Sequence, residues 1–497
     1  MDQEVFDISK FDEYKEDNRR EVKKAAGGLP LSLWETYSAF ANTNGGVILL
    51  GVLEHEDGSW FTTGLKSKDA RKLQKSFWDM INNRKKVSVN LLSEEDVEIY
   101  YIGEDIVFAI RVPRAQRHDK PVYLDNDLFG KTFRRNSEGD YHCTKEQVKA
   151  MLRDQTENTM DMDTLESVPM DYLNMETVRG YRNRHKSLKP GHPFERLSDE
   201  EYLRSIGAAA ISQRDGMYHP TGAGLLMFGD EYNIIRQYPE YFLDYREMLD
   251  PSIRWTDRLQ SSSGDWSGNV CDFYFRVYNK IIKEAKVPFK TVSGTRIDDT
   301  PIHKALREAL ANCLMNADYY GTRGIVVKLE NHRLTLENPG YIRVGKKQIL
   351  LGGVSDPRNK GIMKMFNLID IGERAGGGVP DILNAWNDEG LEAPQIVEEF
   401  NPDRTKLILS FEKKKKQTIK TNDKKQTIKE NDSKRTTKTQ AHIDAVIAYL
   451  KKVGEAKTAD ISNEIGLSPD RTRVILAQMI ELEAKGSNRD RTYRLKE

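Results

Sequence analysis

A carboxylate and a carboxamide one helical turn apart are the residues of this chain best suited to chemistry. In Arg307-Glu308-Ala309-Leu310-Ala311-Asn312, a helix would set Glu308 and Asn312 at i and i+4 on one face, with Asn316 a further turn along. Leu306, Ala309, Leu310 and Cys313 would turn the other side toward a core. So placed, Glu308 can orient a water molecule while the Asn312 amide oxygen holds Mg²⁺. The spacing alone is common on solvated helix faces, so its weight comes from what surrounds it.

Two further groups have the residue types for binding polyanions. Near the N-terminus, Asp12-Glu13-Tyr14-Lys15-Glu16 on a strand would project Glu13 and Lys15 from one face and Tyr14 from the other. Asn42 and Asn44 lie where a polar side chain can face the surface of Lys15. Lys131, Arg134 and Arg135 add candidate phosphate contacts, with Tyr123 or Phe133 available for stacking. Each of these also fits an ordinary charged sheet face. Near the C-terminus, Arg471, Arg473 and Gln478 fall on the outer side of a predicted helix, and Arg489 and Arg491 on a short basic ribbon after it.

These residues need positioning elements, and hydropathy patterning supplies them. At 497 residues, with 38% hydrophobic and 31% charged, the chain has material for about three domains. Residues 1–155 mix strand-like runs (VILLGV, VEIYYI, IVFAIRV, KTFRRN) with helical segments at 31–40 and 69–81. Residues 39–52 read as a helix end, an Asn-Gly-Gly turn that permits positive φ, and a buried strand. A polar connector near 160–169 leads into residues 160–412, with helical patterns and then strands IVVKLE, RLTLEN and KLILSF. Within it, residues 221–229 (TGAGLLMFG) read as an apolar buried strand after a glycine turn. The aromatic-rich runs at 238–245 and 272–278 read as core or a subunit interface.

Residues 413–440 hold eleven basic and three acidic residues, a net +8, and two isoleucines as their only aliphatic residues. Such a segment buries too little apolar surface to offset its ordering entropy, so a disordered basic linker is expected, either a plain tether or a non-specific phosphate contact. Residues 441–497 then show Ile443, Val446, Ile447 and Leu450 on one helical face, a second helix over 458–465, and a Gly466-Leu467 turn. Ser468 and Pro469 cap a third helix. This is winged helix-turn-helix grammar, with the third helix offered to the major groove and the ribbon to the backbone, although some winged helices bind protein.

Two of these regions resemble known families. E-Y-K at 13–15, followed by A-F-A-N-T-N-G-G-x-x-x-x-G-V and the later KTFRRN hairpin, resembles the Schlafen AlbA-type domain over roughly residues 5–150. That resemblance implies nucleic-acid binding (DNA, or RNA such as tRNA). In the family's metal-dependent nucleases it also implies an acidic trio, of which Glu13 and Glu54 would be two. The third falls on Ile8, which cannot bind a cation, so the nuclease site is expected to be incomplete. R-E-A-x-x-N, Asn338-Pro339-Gly340, Ser355-Asp356-Pro357-Arg358-Asn359 and Glu373-Arg374-Ala375-Gly376-Gly377-Gly378 resemble a GHKL-type ATPase-like domain. It implies ATP and Mg²⁺ as cofactors, with Glu308 orienting water and Asn312 on the metal. Asn338 and Gly340 would then lie at the adenine-side turn, and Gly376, Gly377 and Gly378 at the phosphate lid. Asn316-Ala317 departs from the usual His-Arg, Lys360 from proline, and Asn338 from the aspartate of well-known GHKL enzymes.

The expected fold class is therefore α/β multidomain: an α+β Schlafen AlbA-type domain, a GHKL-like α/β sandwich and a winged helix. Three cysteines in distant contexts make no disulfide framework and no C-x-x-C zinc site. No apolar run approaches the ~20 residues of a membrane span, and the acidic, polar start has no leader character, so a cytoplasmic location is expected. The leading functional expectation is a bacterial nucleic-acid-binding regulator, of the transcription-factor type, that senses nucleotide and is a homo-oligomer. The alternatives are a Schlafen-type nuclease in phage defence, gated by the ATPase-like part, and a non-catalytic assembly protein.

Overall fold

The structure, a computed structural model, describes residues 6–25, 27–284, 290–292, 295–297, 299–372, 377–400, 402–414, 445–447, 449–465, 472, 476, 482–485 and 492–495. Met1–Lys415 form one compact unit and Lys416–Glu497 a second.

The chain enters through a 3₁₀ segment, Ile8–Glu13, capped by the Asp7 carboxylate on the Ser9 amide. The strand expected at 12–16 is absent there. Phe6 and Phe11 are buried with Trp60, and folding the backbone into a tight turn brings both rings to that cluster. Strand β1 (Arg20–Lys23) pairs in parallel with β2 (Gly46–Leu50). Helix α1 (Ser32–Asn42) lies between them in sequence, with nine of its residues buried. Next come the hairpin β3 (Val52–Glu54) and β4 (Trp60–Thr62), and the amphipathic α2 (Ser67–Ile81). Strands β5 (Val97–Ile102) and β6 (Asp105–Val112) complete a sheet of order β1-β2-β6-β5. β2 is buried at every position, and its Ile48 and Leu50 join Phe40, Phe77 and Phe108 in the core. A hairpin of β7 (Phe133–Asn136) and β8 (Gly139–His142) precedes α3 (Lys145–Gln155).

The connector is not a loose tether. Asp161 is buried, and its carboxylate accepts from the Ile362 amide 201 residues onward. Helices α4 (Met175–Leu188) and α5 (Asp199–Ile206) follow, with a short pairing of β9 (Ala209–Ile211) and β10 (Tyr218–Pro220). Residues 222–228, expected as a strand, form helix α6 (Gly222–Phe228) instead. Thr221 caps it by accepting from the Gly224 amide, and Gly224 packs so tightly that an added Cβ would meet the Ala208 carbonyl oxygen at 1.8 Å. All seven residues are buried, so no polar face existed to reveal a helical period.

After α7 (Glu231–Gln237) come β11 (Leu243–Met248), β12 (Asp257–Gln260), α8 (Val270–Glu284) and the hairpin β13 (Lys290–Val292) and β14 (Thr295–Ile297). Helix α9 (Pro301–Met315) leads into β15 (Ile325–Glu330) and β16 (Arg333–Pro339). The remaining elements are α10 (Lys346–Leu351), α11 (Lys360–Leu368), α12 (Gly378–Asp388), β17 (Gln395–Glu399) and β18 (Arg404–Ser410). The sheet order is β12-β11-β15-β16-β18-β17, parallel at β11/β15 and antiparallel elsewhere. α8 packs on β11 and α9 on β16, with α12 against α9. The aromatic run in α8 is core: Phe273, Tyr274 and Val277 are buried.

In the second unit the described residues give helical positions at 445–447 and 449–453, β19 (Glu455–Lys457), α13 (Thr458–Ile465), β20 (Leu482–Lys485) and β21 (Thr492–Leu495). The strands form an antiparallel sheet, β19-β21-β20, around Val446, Leu450, Ile461 and Tyr493. The basic linker beyond residue 414, the third predicted helix as a whole, and Arg471, Arg473, Gln478, Arg489 and Arg491 lie outside the described residues. No helix among the described residues is long and apolar enough to cross a membrane.

Candidate functional site

α9 begins with Thr300 as N-cap and Pro301 in its first turn, and buries Leu306, Ala309, Leu310 and Leu314. The opposite side is left facing a cleft, lined there by Glu308, Asn312 and Asn316. The Asn312 amide nitrogen donates to Glu308 Oε1 at 2.9 Å, which turns the amide oxygen out as an acceptor. Asn338, at the end of β16, joins the lining with Leu336. It is buried, and its Nδ2 donates to the Pro339 carbonyl at 3.2 Å.

The N-terminus of α12 closes on the pair. Gly377 is its N-cap, and a Cβ on Gly378 would lie 2.1 Å from Glu308 Oε1 and 3.0 Å from Asn312 Nδ2. Only glycine lets the helix start come this near the two side chains. Gly340 works from behind the opposite wall. Its φ is +95°, and an added Cβ would strike Arg358 Nη1 at 2.6 Å. Gly376 lies outside the described residues. The walls are otherwise apolar (Ile342, Val344, Ile349, Ile396 and Leu407), with Arg343, Asp356 and Arg358 at one side. The cavity is about 160 Å³. The apolar lining thus adjoins a carboxylate–amide pair and a glycine helix start.

That polar side of the wall belongs to a network which sequence reasoning missed. Asp154 of α3 accepts from Arg358 Nε and Nη2 at 2.9 and 2.8 Å. Burial opposes both charges. Arg358 nevertheless keeps the Asp154 carboxyl below its usual range, and Asp154 raises Arg358 in return. Arg343 is held below its usual range by burial, the nearby Asp154 only partly compensating. Arg117 meets Asp356 at 3.1 Å, Arg134 meets Asp403 at 2.7 Å and Arg153 pairs with Asp318. The partners lie some 160 to 270 residues apart, so no local pattern announces them.

The residues expected to touch nucleic acid are dispersed. Arg134 is buried and donates to both Asp403 oxygens. Arg135 is 3% exposed and pairs with Glu21 and Asp140. Neither side chain faces outward for phosphate, because each fills an internal acidic pocket made by distant segments. Asn42 is likewise internal: its Nδ2 donates to the Val122 and Phe133 carbonyls, and its Oδ1 accepts from the Val122 amide. Lys15 is exposed, its ammonium donating to the Asp57 carbonyl at 2.8 Å. Lys131 is paired with Asp125.

Glu13 is exposed at the end of the 3₁₀ segment. Glu54 is engaged by the Glu16 amide and Trp60 Nε1. Its carboxylate neighbour is Glu16 rather than Glu13. Burial pushes the Glu16 carboxyl up, with Glu21 and Glu54 adding to the shift. Among the described residues no cluster of three or more His, Cys, Asp or Glu side chains is arranged to hold a metal ion. The three cysteines are buried thiols.

The "Schlafen, AlbA_2" family model matches residues 9–144 and the "Putative ATP-dependent DNA helicase recG C-terminal" model (HATPase_c_4) residues 322–409. The chain carries a Schlafen AlbA_2 domain and a RecG C-terminal-like ATPase-type domain. These two domain types mark a nucleic-acid-related protein. A domain of unknown function (DUF8451) matches residues 149–244, from α3 through the start of β11. No curated protein matches significantly. Among solved structures, the DIP2311 protein from Corynebacterium diphtheriae is 16% identical, with 96% of this chain and 92% of that one covered and a TM-score of 0.41. The N-terminal domain of a putative ATP-dependent DNA helicase RecG-related protein from Nitrosomonas europaea is 27% identical, with 25% and 82% covered and a TM-score of 0.19.

Proposed function

We propose that the protein is a nucleic-acid-binding regulator, of the transcription-factor type, whose ATPase-type domain takes ATP with Mg²⁺ in the α9 cleft. The observation that carries this reading is the convergence of Glu308, Asn312, Asn338 and Gly378 on one cavity, from segments that span 70 residues of sequence. The free amide oxygen of Asn312 fits a Mg²⁺ ligand, and Glu308 beside it fits the group that orients water. Bound Mg²⁺ would offset phosphate charge. The protein's own part is to hold the base between the aliphatic walls and the phosphates at the glycine start of α12, with Gly376 and Gly377 in the lid. The linker and the second unit, read as a winged helix-turn-helix, would contact DNA through Arg471, Arg473, Gln478, Arg489 and Arg491. The AlbA_2 module would add nucleic-acid contacts through Lys15.

Calorimetry tests the assignment. Asn312→Ala should abolish Mg²⁺-dependent nucleotide binding, while Glu308→Ala should bind and lose any turnover. Wild-type protein with no affinity for ATP or ADP at millimolar concentration would overturn it.

A further inference from the structure

We propose that the wall of the nucleotide cleft is a coupling element, through which occupancy of the cleft is transmitted to the last turn of α1 in the AlbA_2 module. This rests on the reading of the cleft as a ligand site. Residues 341–343 and 356–358 have two sides. Toward the cleft, Arg343, Asp356 and Arg358 form its polar side, with Tyr341, Ile342 and Pro357 beside them. On the other side, the same residues are held by Arg114 and Arg117 of the AlbA_2 module and by Asp154 of α3, which follows it. Arg114 Nη2 donates to the Ile342 carbonyl at 2.7 Å. Arg117 pairs with Asp356 at 3.1 Å and also donates to the Asp154 and Thr156 carbonyls. Asp154 holds Arg358 through both of its oxygens.

The path continues inward through one side chain. Lys120 is 2% exposed, and its ammonium lies 5.4 Å from the Tyr341 ring centroid. It donates to the Asn42 carbonyl, the last of α1, at 2.7 Å. Asn42 in turn clamps the Val122 and Phe133 backbones. Three contacting residues, Tyr341, Lys120 and Asn42, therefore join the cleft lining to the Asn-Gly-Gly turn that starts β2.

The fit leaves no slack. Gly345 has φ +86°, and a Cβ there would lie 2.6 Å from Arg114 Nη1. Close-packed charged groups with fixed partners shift together rather than deform one by one. A ligand that contacts residues 341–343 differently in two wall positions biases both sides, and the bias is reciprocal. Burial, with Arg114 and Arg134 nearby, holds the Lys120 amine well below its ordinary value, so the link at Asn42 is also sensitive to how those arginines sit.

Hydrogen exchange on the full chain tests this, read in peptides covering residues 40–46, with α2 as internal reference. Mg²⁺-ATP at a concentration shown by calorimetry to saturate the cleft should slow exchange at 40–46 severalfold and leave α2 unchanged. Arg117→Ala and Arg114→Ala should keep calorimetric binding and lose that response. Unchanged exchange at 40–46 in saturated wild type overturns the coupling and leaves the nucleotide reading standing. Absence of calorimetric binding overturns the nucleotide reading instead, and a ligand-free arm then decides the coupling. Gly345→Ala, which displaces Arg114 from the wall, should raise exchange at 40–46 severalfold relative to α2, and equal exchange overturns the proposal.

Discussion

Asp154 is 4% exposed and answers the charge of Arg358, whose side chain is 10% exposed. Removing one member of a buried pair strands the other, at a cost of about 3–5 kcal/mol. Asp154→Ala should therefore lower unfolding free energy by that order in urea titration, whereas Lys131→Ala, whose pair with Asp125 is half exposed, should leave the urea midpoint nearly unchanged. Asp161 behaves differently. Burial outweighs its hydrogen bonds from Thr159 and the Ile362 amide and pushes its carboxyl up to about 6. A folded value above the ordinary ~4 means that the native state holds the proton more tightly than the unfolded chain. This part of the stability is complete below about pH 4 and is lost as pH rises through 6. Asp161→Asn should flatten the wild-type fall in melting temperature between pH 4.5 and 7. The Glu308–Asn312 pair was legible because a helical period and a short spacing define it. Arg134, Arg135 and Asn42 were not, since KTFRRN and the Asn-containing turn look the same whether their partners are water, phosphate or a carboxylate 270 residues away.

At the scale of elements, the start of α12 is where sequence and chemistry meet. Gly378→Ala puts a methyl group against Glu308, so the carboxylate or the helix must move. Nucleotide binding measured by calorimetry should weaken with little change in overall helix content by circular dichroism. Amphipathic α2 could be read from periodicity, because it has one face in water. α6 could not, being apolar throughout, and its identity as a helix is decided by the Thr221 cap and the Gly224 approach to Ala208. The 3₁₀ start of the chain was missed for a related reason. The Phe11 ring packs on Trp60 of β4 and the Phe6 ring on Tyr100 of β5, contacts that no local pattern announces.

For the whole molecule, the asymmetry of charge matters more than the net value of zero. Deleting residues 413–497 removes the +8 linker segment and the second unit together. If about five phosphate contacts go with them, the slope of log K against log salt for duplex DNA should fall by roughly 4 to 5 units. An unchanged slope in filter binding across a salt series would show that this part of the chain does not touch DNA. The AlbA_2 module, by contrast, cannot be studied by cutting it out. Arg114, Arg117 and Arg134 of the module, and Arg153 in the helix after it, find their carbonyl or carboxylate partners at Ile342, Asp356, Asp403 and Asp318, all beyond residue 300. A ribosome must synthesise the module well before any of those partners exists, and an excised fragment ending near residue 155 never meets them. Either species would lack the carboxylates that answer Arg117, Arg134 and Arg153 and the carbonyl that accepts from Arg114, leaving uncompensated positive charge where the full chain has an interior. Polyanion retention by such a fragment on heparin would measure the missing half of an interior surface, and repeating it with the Met1–Lys415 unit should abolish most of that retention.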